Sequence, residues 1–253
     1  MTETPTTALE LRGISKNFGS VQALREADFE VRDGEVMALV GDNGAGKSTL
    51  IKCVAGIHPI DDGEILFEGK PVKIHGPKDA AKLGIEVVYQ DLALADNLDV
   101  VQNMYLGREN HGLFFLLREA PMDLRTRETL KSLSVTTISS LRQPVATLSG
   151  GQRQSVAVAR AVMWNKRVVF LDEPTASLGV AQTRQVLDLV RRLAGQGLGV
   201  GFVSHNLNDI FEVADRITVL RLGRTVGVYE KSKTNEQEIV QAITLGRQAS
   251  AAA

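Results

Sequence analysis

Residues 41–48 read Gly41-Asp42-Asn43-Gly44-Ala45-Gly46-Lys47-Ser48, the spacing G-x-x-x-x-G-K-[ST]. Those types at that spacing bind phosphate. The glycines let the backbone fold tightly, so that successive N–H groups point inward at anionic oxygens. A helix expected to start near Lys47 adds its positive dipole end. Lys47 then reaches the β and γ phosphates, and the Ser48 hydroxyl holds Mg²⁺. A second chemical group is Val168-Val169-Phe170-Leu171-Asp172-Glu173, an apolar strand pattern ending in two carboxylates. Ligands sit at the carboxyl ends of parallel strands. There Asp172 can reach the cation through water, and Glu173 can polarise an attacking water as general base. A third is Leu148-Ser149-Gly150-Gly151-Gln152: two glycines and a hydroxyl before a helix pattern, with Ser149 a candidate N-cap. Two anion-binding devices and one metal carboxylate suggest a sandwich in which one copy supplies the first loop and another copy the second.

Positioning these groups requires strands that end together. From Leu9 to Val40 the pattern is mainly strand-like, with a turn signal at Asp33-Gly34 before the apolar run Val36 to Val40. A helix is expected from Lys47 to about Ala55, a strand around Ile65 to Phe67, a short helix over Lys78 to Leu83 and a buried strand over Ile85 to Tyr89. From about Asp91 to Gln154 strand signals thin out. Val100 to Leu106 and Met122 to Leu133 read as helices, the latter with Pro121 just inside its start. Beyond it come a helix (Ser155 to Met163), a strand (Arg167 to Leu171), a helix (Ala181 to Leu193), a strand (Gly199 to Ser204), a helix (Leu207 to Val213) and two strands (Ile217 to Leu220, Thr225 to Tyr229). Strands alternating with helices imply a mainly parallel sheet covered on both faces. The expected division is 1–90 and 155–247 as two parts of a nucleotide-binding core, 91–154 as a helical subdomain ending in the second glycine motif, and 248–253 as a frayed tail.

Composition narrows the class. The chain has 253 residues, 43% apolar, with 29 basic against 30 acidic side chains and net charge −1. That argues for a folded core, and against a dedicated nucleic-acid binder. The longest apolar runs, such as Leu113 to Leu117, have about five residues against the roughly 18 needed to cross a bilayer. No basic-then-apolar leader is visible at Met-Thr-Glu-Thr-Pro, which makes a cytosolic location the default. A single cysteine, Cys53, excludes a disulfide framework and is expected to be buried and inert. Trp164 is expected to pack at a helix end, and His58, His75 and His111 have no ligand spacing.

Taken together, these motifs in this order resemble the ATP-binding subunits of ABC transporters over roughly Leu9 to Arg247. The resemblance implies an α/β fold: a P-loop NTPase core with a mainly parallel sheet, an N-terminal antiparallel β part and a helical insert. It implies ATP and Mg²⁺ as cofactors. Nucleotide contacts are expected at Phe18, stacked on adenine, and at Gly41, Asp42, Asn43, Gly44, Ala45, Gly46, Lys47, Ser48 and Thr49. Further contacts would come from Ser149, Gly150, Gly151 and Gln152 of the opposing subunit. Ser48, Gln90 and Asp172 would serve the metal. Glu173, His205, Lys47 and Gln90 would carry hydrolysis, with His205 on the γ-phosphate and Gln90 near both the attacking water and the membrane subunit. One position departs from the family: Ala176-Ser177-Leu178-Gly179 stands where Ser-Ala-Leu-Asp is usual. The Asp that links the two ATP sites is therefore replaced by Gly179.

Gln143-Pro144-Val145-Ala146-Thr147 differs from the acidic stretch of exporters, so the resemblance is to importers. Val88 to Leu94 and Asn103 to Glu109 are similar to monosaccharide importers of the ribose, xylose and fructose type, and the single ATPase half is similar to the fructose-type subunits. The implied partners are membrane permease subunits, an extracytoplasmic sugar-binding protein and a second ATPase subunit in a homodimer. The implied place is the cytoplasmic face of the membrane, bound peripherally and without nucleic acid. A soluble ATPase of the same type, an importer subunit for a non-sugar solute, and a non-hydrolytic nucleotide sensor are the alternatives. Leu113 to Leu117 is either core or a surface for the membrane subunit.

Overall fold

A computed structural model describes residues 6–111, 117–164 and 167–246. Among these, the strands form two sheets. The first is antiparallel, in the order β2-β1-β4-β5, from β1 (Thr7–Phe18), β2 (Val21–Arg32), β4 (Asp62–Phe67) and β5 (Lys70–Val72). The second has the order β10-β9-β3-β8-β7-β6, from β3 (Val36–Val40), β6 (Ile85–Val88), β7 (Val168–Asp172), β8 (Gly199–Val203), β9 (Arg216–Arg221) and β10 (Arg224–Glu230). It is parallel except for the edge strand β10. The mainly parallel sheet and the N-terminal antiparallel part are both as expected.

The apolar runs in β3 and β7 are uninterrupted because both faces of the second sheet are buried, and successive side chains point to opposite faces. Val36, Ala38 and Val40 join one core, Met37 and Leu39 the other; Val169 and Leu171 alternate with Val168 and Phe170 in the same way. One core is closed by the antiparallel sheet (Leu9, Leu11, Phe29, Val31) and by α1 (Lys47–Val54), through Leu50, Ile51 and Val54. The other is closed by α3 (Val100–Tyr105), α5 (Gly150–Trp164), α6 (Val180–Gly195), α7 (Leu207–Val213) and α8 (Glu236–Leu245). At the amino-terminal edge of the sheet the charges are paired: Arg216 Nη2 lies 2.9 Å from Glu35 Oε2, and Asp215 Oδ2 accepts from Val36 N at 2.8 Å.

Four elements differ from the expected pattern, among them α5, which starts at Gly150 rather than Ser155. The helix predicted from Met122 begins earlier, as α4 (Glu119–Ser132). Pro121 is its third residue, where a missing N–H costs nothing because the first four donors lack helical partners. β5 and α8 are additional. Three residues are too few to show a period; α8 carries a signal in Asn235, whose side chain accepts from Glu238 N at 3.0 Å. α2 (Pro77–Leu83) and α7 lie where they are predicted. Cys53 is buried, which pushes its thiol up to about 11. Trp164 ends α5 and stands edge-on to Tyr105 at 5.2 Å, its indole N–H donating to Met104 O at 3.0 Å. Of the run Leu113 to Leu117, only Leu117 lies within the described residues, and it is exposed; the 248–253 tail lies outside them.

Gly179 is the N-cap of α6, at φ −73° and ψ 163° without a side-chain cap, and an added Cβ there meets nothing within 4 Å. An Asp in that geometry accepts from the first-turn N–H groups and faces the positive end of the helix. Gly179→Asp is therefore expected to stabilise the fold by about 0.3–1 kcal/mol, a rise of about 1–3 °C in Tm. Thermal unfolding of the two proteins checks this; an unchanged or lower Tm would show that an Asp at this position does not cap α6.

Candidate functional site

Four neighbouring parallel strands bring the candidate residues to one edge. In register, Leu39 of β3 pairs with Val203 of β8, Val203 with Asp172 of β7, and Leu171 with Val88 of β6. Just beyond those levels lie Gly41, His205, Glu173 and Gln90. Ligand crevices form at this edge because the strands end there while helices pack on the faces. A cleft of about 460 Å³ is lined by Asn43 to Thr49, Gln90, Asp172, Glu173, Ala176 and His205. Its far wall is Val21, Gln22 and Ala23 of β2, residues to which the sequence pattern assigned no role. Gly41 and Asp42 line an adjoining hollow with Ser204 and His205.

The 41–46 loop is built by backbone constraints. Gly46 sits at φ +105°, where an added Cβ would lie 2.8 Å from Ala23 O and 2.9 Å from Leu24 Cδ2. Only glycine fits. The loop is closed by Ala45 N donating to Asp42 O at 3.1 Å, and is tied to the turn after β9 by Gly223 N donating to Ala45 O at 2.9 Å. α1 then opens with its first N–H groups free of helical partners. Lys47 folds over the loop, and its Nζ donates to Gly41 O at 2.7 Å and Asp42 O at 3.0 Å. Burial lowers its pKa, against the opposing pull of Glu173, Asp172 and Asp42.

The carboxylates differ in setting. Asp172 is held above the usual carboxylate range by burial and by the charge of Glu173, with Lys47 and Lys52 opposing. Glu173 stands at φ +52°, a rare conformation for its type. Its N–H donates to Val203 O at 2.9 Å, and its Oε2 is 2.8 Å from His205 Nδ1. His205 itself is 72% exposed in its side chain, against 17% for Glu173.

The candidate metal donors are a hydroxyl, an amide and a carboxylate: Ser48, Gln90 and Asp172 line the one cleft. All are oxygen ligands, which suits a hard divalent cation, and a buried carboxylate gains from a positive charge beside it. Among the described residues no group of three or more His, Cys, Asp or Glu could hold a metal by itself.

The second glycine motif is spent partly on its own helix. Ser149 and Gln152 form a reciprocal cap of α5: Ser149 N donates to Gln152 Oε1 at 2.8 Å, and Gln152 N lies 3.4 Å from Ser149 Oγ. Gln152 Nε2 also donates to Thr137 O at 2.6 Å, which commits its amide within the chain. A Cβ on Gly150 would lie 2.8 Å from Leu178 Cδ2, so a larger residue there would push the Leu178 side chain aside. None of Ser149, Gly150, Gly151 or Gln152 lines the phosphate cleft of the same chain. Ser149 and Gly150 are exposed. Phe18 is 43% exposed and outside the cleft lining, edge-on to His58 at 5.0 Å. Gln90 is exposed at the start of a loop that Arg160 of α5 clamps, donating to Leu92 O at 2.9 Å and Ala93 O at 2.8 Å.

A family profile described as ABC transporter matches residues 24–176, from Leu24 of β2 through the phosphate loop to Glu173 and Ala176. This chain belongs to the ABC transporter family. It is 47% identical over 236 residues to the xylose/arabinose import ATP-binding protein XylG of Sulfolobus acidocaldarius, covering 93% of both chains. It is 48% identical over 226 residues to the fructose import ATP-binding protein FrcA of Rhizobium meliloti, covering 87% of both. A nucleotide-free ATP-binding cassette from an ABC transporter shares the fold with TM-score 0.81 and 24% identity, covering 94% of this chain and 95% of that one. So does a dimeric cassette in a post-hydrolysis state with ADP and Pi, with TM-score 0.72 and 23% identity over 88% and 98% of the two chains. This ABC ATPase binds and hydrolyses ATP, and the cleft beside the phosphate loop gathers the groups suited to that reaction.

Proposed function

We propose that this chain powers uptake of a monosaccharide, with fructose the first candidate, through a partner membrane permease at the cytoplasmic face of the membrane. A sugar-binding protein outside the membrane would deliver the solute. The observation that carries this is near-half identity, over most of the chain, to two sugar-import ATP-binding proteins. The sugars in their names differ, in line with a subunit that never touches the solute. Among the described residues no helix is long and apolar enough to cross a membrane.

In this reading two copies close head to tail. Each ATP lies between one copy's phosphate loop and the other copy's Ser149, Gly150 and Gly151. Support comes from the exposed placement of Ser149 and Gly150 away from their own cleft. The 91–154 segment would act as the helical subdomain that carries this face. Lys47 exchanges the carbonyls of Gly41 and Asp42 for phosphate oxygens, which are stronger acceptors when charged. The N–H groups of the loop and of α1 hold the β-phosphate, and Phe18 offers adenine a ring. Bound Mg²⁺, held through Ser48, Gln90 and Asp172, would neutralise charge on the β and γ oxygens. Glu173 takes the proton of the attacking water while His205 stabilises the γ-phosphate.

Uptake of labelled fructose, ribose and xylose in a strain lacking this gene is the direct test. One of the three is expected to be lost, and restored by the wild-type gene but not by the Lys47→Ala allele. Unchanged uptake of all three would remove the monosaccharide assignment and leave the ATPase.

A further inference from the structure

Glu173 and His205 come from different loops, and one buried contact outside the cleft ties those loops together. Thr175 Oγ1 donates to Asp209 Oδ2 at 2.7 Å, and both residues are buried. Thr175 lies two residues after Glu173; Asp209 lies in the first turn of α7, four after His205. Together with the Glu173–His205 contact of 2.8 Å, this closes a ring: Glu173, Pro174, Thr175, across to Asp209, back along α7 to His205, and across to Glu173. Glu173 is held in this ring at φ +52°. A strained backbone conformation persists only where its surroundings over-determine it. The strand ends are already tied by Glu173 N donating to Val203 O, two residues before His205. The Thr175–Asp209 contact adds a second tie beyond the strand ends, between the two loops themselves.

We propose that the buried Thr175–Asp209 hydrogen bond is a positioning pair that holds Glu173 and His205 in contact for ATP hydrolysis. It rests on the roles given to Glu173 and His205 above. Neither Thr175 nor Asp209 lines the phosphate cleft, so their action is through the two residues that do.

The experiment is single-turnover hydrolysis of MgATP by the purified chain in excess, with nucleotide binding measured in parallel. Thr175→Val is expected to lower the hydrolysis rate by about 10- to 100-fold, the scale of an ångström-sized misplacement, with ATP affinity within about twofold. Thr175→Ser keeps the hydroxyl and Asp209→Asn keeps an acceptor, so both are expected near the wild-type rate. In a His205→Ala background the Thr175→Val loss should shrink to less than about threefold, because the contact it serves is already gone. Leaving Asp209 buried and unpaired can unfold Thr175→Val; the double variant Thr175→Val/Asp209→Leu removes both partners, and is expected to fold and to hydrolyse as slowly. A wild-type rate in folded Thr175→Val or in folded Thr175→Val/Asp209→Leu, the same fold-loss with and without His205, or unfolding of both of these variants would overturn the proposal. Full activity of Glu173→Gln is a separate failure: it removes the base assignment, and the positioning pair with it.

Discussion

Lys47→Ala is expected to lower ATP hydrolysis by at least about a hundredfold and to weaken ATP binding by about 10- to 100-fold. The side chain stands over the phosphate loop, with its ammonium already within hydrogen-bond distance of two loop carbonyls, Gly41 O and Asp42 O. A triphosphate brought to this loop meets a fixed cation, and bonds to charged groups are worth roughly 1.5–3 kcal/mol each. Alanine leaves the fold intact because Lys47 is only half-buried and its Nζ serves no other element. In the proposed reaction the same ammonium would also meet negative charge that grows on the γ-phosphate during transfer, so the rate is expected to fall further than the affinity. Equilibrium binding of a fluorescent ATP analogue and a phosphate-release assay measure the two effects. Undiminished hydrolysis would mean that another cation takes the γ-phosphate.

Glu173→Gln is expected to separate binding from chemistry. The substitution keeps size and the acceptor oxygen facing His205, but removes the capacity to take a proton from water. Hydrolysis should fall by about 10²–10⁴-fold, the usual worth of a positioned general base, while ATP affinity changes little or improves. Because ATP is then bound and not consumed, the closed pair of chains should accumulate. Light scattering with MgATP is expected to show a dimer for Glu173→Gln and mostly monomer for wild type after turnover. Turnover at the wild-type rate would sink the role of Glu173; a variant that binds ATP but stays monomeric would instead count against the sandwich.

Much of the site is legible in the chain because it is locally encoded. The glycines at 41, 44 and 46 set the backbone turns of the loop, and all three stand at positive φ. The uninterrupted apolar runs of β3 and β7 signal strands covered on both faces, and the groups that follow such strands fall on one edge. Ser149 caps α5 as its type and place predict. Gln152 shows where local reading stops. Its spacing from Ser149 is that of a capping pair, and the amide also donates to Thr137 O, a partner 15 positions away that the spacing does not announce. Phe18 likewise meets His58, a partner 40 positions away that no pattern announces.

Residue type and spacing dictate which atoms can do the chemistry: a loop that cradles phosphate, a carboxylate pair after a buried strand, a histidine and a glutamine after two others. The order of these motifs along the chain also carries the family. Which of those atoms meet is a matter of tertiary packing. Gln90, Glu173 and His205 converge because β6, β7 and β8 are neighbours in register, an order fixed by long-range packing rather than by any local preference. The Thr175–Asp209 bond and the wall formed by Val21, Gln22 and Ala23 have the same origin. Backbone conformation is coded over a few residues, so sequence displays it; contacts between residues far apart in the chain arise only when two cores close on both faces of one sheet.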